Sequence, residues 1–310
     1  MRNGIVLARR AVAVVAMAGL PIMTWALGPV VDAAWLAEHR DDVTVVQASR
    51  SADNFDGVGY IPGAAFVAMS DFLATRESES GMVRYLVPDA AAFEQTLRGL
   101  GVGAGDTVVI APSGTKLYGD TTVAARLYWQ MRYYGHDAVT VLDGGVAAWK
   151  AGGQPVAEQP VAPEAQGDFS AAVPREDLLH TTAEIAAVLD AADGALLLDN
   201  RPLVQFAGLV GKDYVEGLGH LPGAKPLPFD LFVRQDDGLV RWRGADEVQL
   251  LFAALGEPGR PAVAYCNSGH VSSLAWFALS EIGGIADVSL YDGSLHEWTH
   301  SGDRPLVVGR

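Results

Sequence analysis

The chain has 310 residues, half of them hydrophobic, with 22 Lys+Arg against 37 Asp+Glu, a formal net charge of −15 and one cysteine. That length suffices for two cored domains, and the acidic balance excludes a basic nucleic-acid-binding face while leaving room for a local small-anion site. A single thiol excludes an intramolecular disulfide and a cysteine-cluster metal centre.

The N-terminus, MRNGIVLARR, carries three arginines and no acid, and an uncharged run follows from Ala11 to Val31. A basic segment before a long apolar one predicts a signal peptide or N-terminal anchor over residues 1–28. The expected location is therefore periplasmic or otherwise exported, with membrane attachment through residues 11–31 if the segment is uncleaved. Next come strand-like runs VTVVQAS (43–49) and DTVVIA (106–111), a helical pattern over 122–135, and AVTVLD (138–143). GVGAGD (101–106) resembles a phosphate loop, but it precedes a strand instead of opening a helix, so it reads as a turn. Residues 151–169 hold Pro, Gly and Gln without apolar period and read as a linker. Beyond it, ALLLD (195–199), PAVAYC (261–266) and DVSLYD (287–292) are strand-like. EVQLLFAAL (247–255) and 272–283 are helical, the latter with Ser272 or Ser273 as N-cap and Gly283 as C-cap. Alternating strands and helices predict an α/β fold with parallel sheets. The expected organisation is a first domain at 29–152, a linker at 153–170 and a second domain at 171–310.

The two halves repeat one another. Asp143-Gly144-Gly145 and Trp149 match Asp292-Gly293-Ser294 and Trp298, and YIPGA (60–64) matches HLPGA (220–224). The spacing is domain-sized, so this is a duplication and not a solenoid. HEWTH (296–300) fits a zinc-protease pattern, but Gly302 and Pro305 leave no sustained helix after it. The matching place in the first half reads AAWKA, and no metal is expected.

Cys266 ends an apolar run, and the loop Asn267-Ser268-Gly269-His270-Val271-Ser272 leads into a helix. Ligands of open parallel sheets bind outside the carboxyl ends of the strands. There, loop N–H groups and a helix N-terminus favour a thiolate and an anion beside it. The alternative is a buried cysteine acting as a small hydrophobe.

Taken together, the paired Pro-Gly-Ala turns, LLLDNRP, the cysteine loop and the Asp-Gly-Gly/Ser…Trp endings resemble the tandem rhodanese-type sulfurtransferases, over about Val30 to Val308. The resemblance implies two rhodanese-like domains, each a parallel sheet flanked by helices. Only the second carries the catalytic cysteine; in the first, Pro112 or Ser113 stands where a thiol would sit. It also implies a persulfide on Cys266, no cofactor, a small anionic sulfur donor, and a thiophilic acceptor such as cyanide or a thiol. Arg201 and the loop Asn267, Ser268, Gly269, His270, Val271 and Ser272 become the expected substrate-binding residues. Arg201 could instead form a salt bridge with Asp199 or Glu216.

The chain departs from the family at several places. Gln205 replaces a second arginine of the thiosulfate enzymes, and Asn267 and Ser268 replace their loop cations. The neutral loop is closer to that of the mercaptopyruvate enzymes, whose first-domain histidine is Tyr60 here. His270 is an addition, expected as a donor to the leaving group, as an acid–base group near neutral pH, or as a solvent-facing helix residue. Thiosulfate is the expected donor and 3-mercaptopyruvate the alternative. Two further readings are a non-enzymatic sulfur carrier and a cysteine phosphatase. The latter needs Cys-x5-Arg, whereas Ser272 occupies that place.

Overall fold

The structure is a computed structural model that describes residues 27–78, 81–191, 194–257, 259–300 and 303–309. The expected signal or anchor segment lies almost wholly outside the described residues. Among them, no helix is long and apolar enough to cross a membrane.

Each half builds a five-stranded parallel sheet. Across the first, the order is Val30–Val31, Val139–Leu142, Val108–Ala111, Thr44–Ser49, Ala65–Ala68. Across the second it is Leu179–His180, Val288–Tyr291, Ala262–Tyr265, Leu196–Asp199, Lys225–Pro226. Strand by strand the orders coincide, so the repeated sequence is a repeated topology. The inner strands VVIA, VTVL, LLLD, AVAY and VSLY are buried at every position. Both faces of these sheets are covered, which is why the strands read as continuous apolar runs rather than alternating ones.

The repeated motifs are structural anchors. Trp149 and Trp298 are buried, and each indole N–H donates to a proline carbonyl downstream, Pro155 at 2.7 Å and Pro305 at 3.2 Å. Tyr60 and His220 bridge the returning chain at Ala157 and Val307. The segment after residue 152 stays on the first domain, with Phe169 buried there and its N–H bonded to the Val102 carbonyl at 3.1 Å.

The domains face each other through helices Thr122–Tyr133 and His270–Trp276. All of Thr122 to Met131 is buried, as a helix between two domains must be. Two hairpins absent from the sequence reading close the joint: Ala74–Ser78 with Gly81–Leu86, and Val233–Asp236 with Leu239–Trp242. Each reaches across to the other domain's repeated Asp-Gly turn. The N–H of Val87 donates to Asp292 at 2.8 Å, and that of Trp242 to Asp143 at 3.0 Å. The second hairpin had a signal, because Asp237 and Gly238 both have positive φ, the Asp-Gly two-residue turn.

Candidate active site

Cys266 follows strand Ala262–Tyr265 directly and is 2% exposed. The helix starts at His270, not at the serines, and its N-cap is Gly269 at φ 71°. A Cβ at Gly269 would lie 2.5 Å from the Asp292 carbonyl oxygen, so the turn requires glycine. Only three residues separate thiol and helix. The Ser268 N–H lies 3.5 Å from the sulfur, and the Ser272 hydroxyl donates to it at 3.4 Å. Ser294 fixes the loop from below by accepting the N–H groups of Cys266 and Gly269, both at 3.0 Å.

Above the sulfur is a cleft of about 280 Å³. Of the expected residues, Arg201, Asn267, Ser268, His270 and Val271 line it with Cys266. Gly269 and Ser272 shape the loop beneath. Arg201 is 2% exposed and forked on Asp199, with Nε at 2.9 Å from Oδ1 and Nη2 at 2.6 Å from Oδ2. Nη2 also donates to the Gly219 carbonyl at 2.7 Å, and the Tyr265 hydroxyl donates to Asp199 at 2.8 Å. The guanidinium charge is thus neutralised by Asp199, and Arg201 acts as a strut that reaches the loop through Asn267 at 3.5 Å. Asn267 in turn donates to Gln205 at 2.8 Å, which places position 205 on the cleft wall.

The first domain's loop shows what the same fold does without a thiol. The carbonyls of Pro112 and Ser113 accept from Val146 and Ala147, as those of Cys266 and Asn267 accept from Leu295 and His296. Pro112 is therefore the counterpart of Cys266. Here the buried Asp120 carboxylate folds back into the loop and accepts the N–H groups of Ser113 and Gly114 at 2.7 and 2.9 Å, with the Ser113 hydroxyl at 2.8 Å. Burial pushes this carboxyl up to about 6 against the pull of those donors. An internal anion occupies the cradle.

The Rhodanese-like domain profile matches twice, at residues 32–152 and 181–301. The chain belongs to the rhodanese family. A protein of Haloferax volcanii named after thiosulfate sulfurtransferase is 35% identical over 226 residues, 70% of this chain and 74% of its own. The thiosulfate sulfurtransferase of Gallus gallus is 29% identical over 276 residues, 87% and 86% of the two chains. The crystal structure of the 3-mercaptopyruvate sulfotransferase SseA from Escherichia coli superposes with a TM-score of 0.72 at 25% identity, covering 86% of this chain and 99% of that one.

In this rhodanese His270 lines the cleft but is neither a solvent-facing residue nor a group that titrates near neutral pH. The ring is 5% exposed and its Nε2 is 2.8 Å from the Thr122 hydroxyl of the first domain. Burial, helped by Arg50 and Arg126, lowers its pKa to about 3, so it is neutral at working pH and does not titrate near neutrality. Tyr60 packs on Phe55 and Phe66 and does not line the cleft, so its departure from histidine leaves the cleft unchanged. The sequence reading missed Tyr118, Lys212 and Tyr214, which line the cleft together with Pro202 and Phe229. Tyr214 is hydrogen-bonded to Ser268, and burial pushes its hydroxyl up to about 12. Lys212 is exposed and has no carboxylate partner among the described residues. No sequence signal marks Tyr118, which crosses from the first domain, or Lys212 and Tyr214, which lie on an irregular segment of the second. The place of a phosphatase arginine is held by Ser272, fully buried under the sulfur.

Proposed function

We propose that this rhodanese is a sulfurtransferase that carries sulfane sulfur on Cys266, taking it from thiosulfate and giving it to a thiophilic acceptor such as cyanide or a thiol. One observation carries the reading: the only thiol stands at the floor of a cleft, beside an N–H and a hydroxyl that reach its sulfur. The thiolate attacks the outer sulfur of the donor, a new S–S bond forms, and the old one breaks with its electron pair leaving on sulfite. The persulfide then lies where preorganised donors stabilise its charge. An acceptor attacks the outer sulfur, and the pair returns to Cys266 as thiolate.

The charge of the cleft favours a second donor. Arg201 is neutralised by Asp199, Gln205 is neutral, and Lys212 is the one unpaired cation on the lining among the described residues. A compact dianion is poorly desolvated by one ammonium, whereas the single carboxylate of 3-mercaptopyruvate matches it. Steady-state rates with each donor, with cyanide or a dithiol as acceptor, decide between them. Gln205→Arg is expected to raise kcat/KM for thiosulfate about ten- to a hundredfold more than for 3-mercaptopyruvate. Intact mass must rise by one sulfur on incubation with donor. An unshifted mass in protein that turns over rejects the persulfide, and persulfide without turnover leaves a sulfur carrier.

The reading also places the protein outside the cytoplasm, supported by Arg9-Arg10 and the uncharged run from Ala11 to Val31. Recovery of full-length protein from the cytosolic fraction alone refutes it.

A further inference from the structure

Beside the Cys266 cleft, on its first-domain side, lies a second cavity of about 280 Å³, walled by Arg50, Met69, Leu73, Thr75, Arg84 and Tyr85 among others. Neither guanidinium has a carboxylate partner among the described residues, and both side chains are exposed. This is against the trend of an acidic chain in which most described arginines are ion-paired. The two arginines flank the cleft by stacking on its wall. The Arg50 guanidinium sits 4.9 Å from the Tyr118 ring centroid, and that of Arg84 sits 5.8 Å from the Tyr214 centroid. Tyr118 and Tyr214 are among the rings that line the cleft above Cys266.

The backbone pays for this placement. The hairpin register shifts between Ala74 and Thr75, so Tyr85 is bulged out of the ladder opposite them, at φ 70°. A tyrosine in the left-handed region is strained, and bulges re-aim the side chains around them. Here the bulge sets the Tyr85 ring 5.7 Å from that of Tyr214 and puts Arg84 next to it. The Tyr85 carbonyl accepts from the buried Arg126 at 3.4 Å, which fixes the strained residue to the domain joint.

We propose that this cavity is the acceptor subsite, and that it takes a low-molecular-weight thiol bearing more than one carboxylate. The carboxylates rest on Arg50 and Arg84, the body crosses Tyr118 and Tyr214, and the thiolate meets the persulfide. Guanidinium groups stacked on rings keep their N–H edges free for carboxylates. Thiosulfate, sulfite and cyanide carry no carboxylate set apart from the reacting atom, so an extended anion suits a cleft flanked by two guanidinium groups better. The inference rests on the persulfide reading above. In the step, the acceptor thiolate attacks the outer sulfur of Cys266–S–S⁻, taken as its protonated form. A new S–S bond forms to the acceptor, the Cys266 S–S bond breaks, and the electron pair returns to Cys266 as thiolate. The product is the acceptor's hydropersulfide, and no outside oxidant or reductant is consumed.

The test uses the full protein and a double variant, Arg50→Gln with Arg84→Gln. Glutathione serves as the dicarboxylate thiol, and its diester as the same thiol with both carboxylates masked. Discharge of the Cys266 persulfide is followed by mass. For the wild type, glutathione is expected to outpace its diester about tenfold at low salt, with the advantage shrinking as salt rises. The double variant is expected to lose that preference. Calorimetric binding of S-methylglutathione, which cannot accept sulfur, should weaken about tenfold in the variant. Equal binding to both proteins, or equal loss of glutathione and diester discharge, overturns the subsite. Because S-methylglutathione binding needs no sulfur transfer, a wild type that binds it but forms no persulfide refutes only the persulfide reading.

Discussion

The two strand-to-helix loops sit at the same place in the same topology and solve the same electrostatic problem differently. In the first domain, the N–H groups of Ser113 and Gly114 are satisfied by the carboxylate of Asp120, carried back by a longer loop. In the second domain the helix starts four residues after the thiol, no carboxylate among the described residues accepts the N–H of Ser268, and the sulfur takes the donors. The Asp-Gly turns below follow suit. Gly145 lets the first loop press down, for a Cβ there would lie 2.2 Å from the Pro112 carbonyl oxygen. At the matching place Ser294, at φ 49°, holds up the cysteine loop through its hydroxyl. A rhodanese loop left without its thiol thus keeps its anion, but supplies it from its own chain.

The comparison breaks most sharply at the thiol. Cys266→Ser is expected to abolish turnover and persulfide formation. Adding Pro112→Cys to that variant should restore neither, because Asp120 already occupies the cradle. A mass gain of one sulfur in the doubly changed protein would show that the first loop is open to a donor.

Next in size is the joint that makes the two halves one site. Arg126 is fully buried and paired with Asp292, and it also reaches the Gly269 carbonyl at 3.4 Å. Arg126→Leu leaves a buried carboxylate unpaired, a loss of about 3–5 kcal/mol. Denaturant unfolding should show it, and an unchanged midpoint would mean that the pair does not hold the domains.

Exchanging the turn residues sharpens the contrast. Ser294→Gly removes the acceptor of two buried N–H groups, a cost of about 1–3 kcal/mol and roughly a tenfold fall in kcat/KM. Gly145→Ser should destabilise by about 1–3 kcal/mol through steric overlap and leave the kinetics intact. Equal kinetic effects from both changes would deny the loops their different roles.

His270 gives the smallest effect at neutral pH. Its folded pKa of about 3 lies below the unfolded value of about 6.5, so between these limits the unfolded chain binds a proton that the folded chain refuses. Its contribution is complete above pH 6.5 and is lost as pH falls towards 3, by up to about 1.4 kcal/mol per unit. His270→Gln should flatten that acid limb in a stability–pH curve while leaving the activity profile from pH 6 to 8 unaltered in shape. A lost activity limb in that range would show that the imidazole titrates during turnover.

Much of this molecule was legible in the chain itself. The duplication, the parallel strands and the cysteine at a carboxyl edge follow from apolar runs, Asp-Gly stops and a lone thiol, all local signals. The strand limits moved by one or two residues. The helix after Cys266 moved further, because glycine in the left-handed region capped it where hydroxyl side chains had been expected to. Arg201 was readable as a neighbour of the site, with a salt bridge to Asp199 or Glu216 as the alternative, and the structure pairs it with Asp199. That depends on both lying buried at one strand end, with Tyr265 and the Gly219 carbonyl completing the shell.

Sequence alone determined the fold of each half and the place of the lone thiol at a strand end, since hydrophobic period and residue chemistry are written along the chain. The joint decided the rest. It set His270 against Thr122, paired Arg126 with Asp292, and brought Tyr118 over the cleft that holds the sulfur. These pairings link residues remote in sequence across buried surfaces, where burial sets charge state and contact sets role, and no local pattern records either.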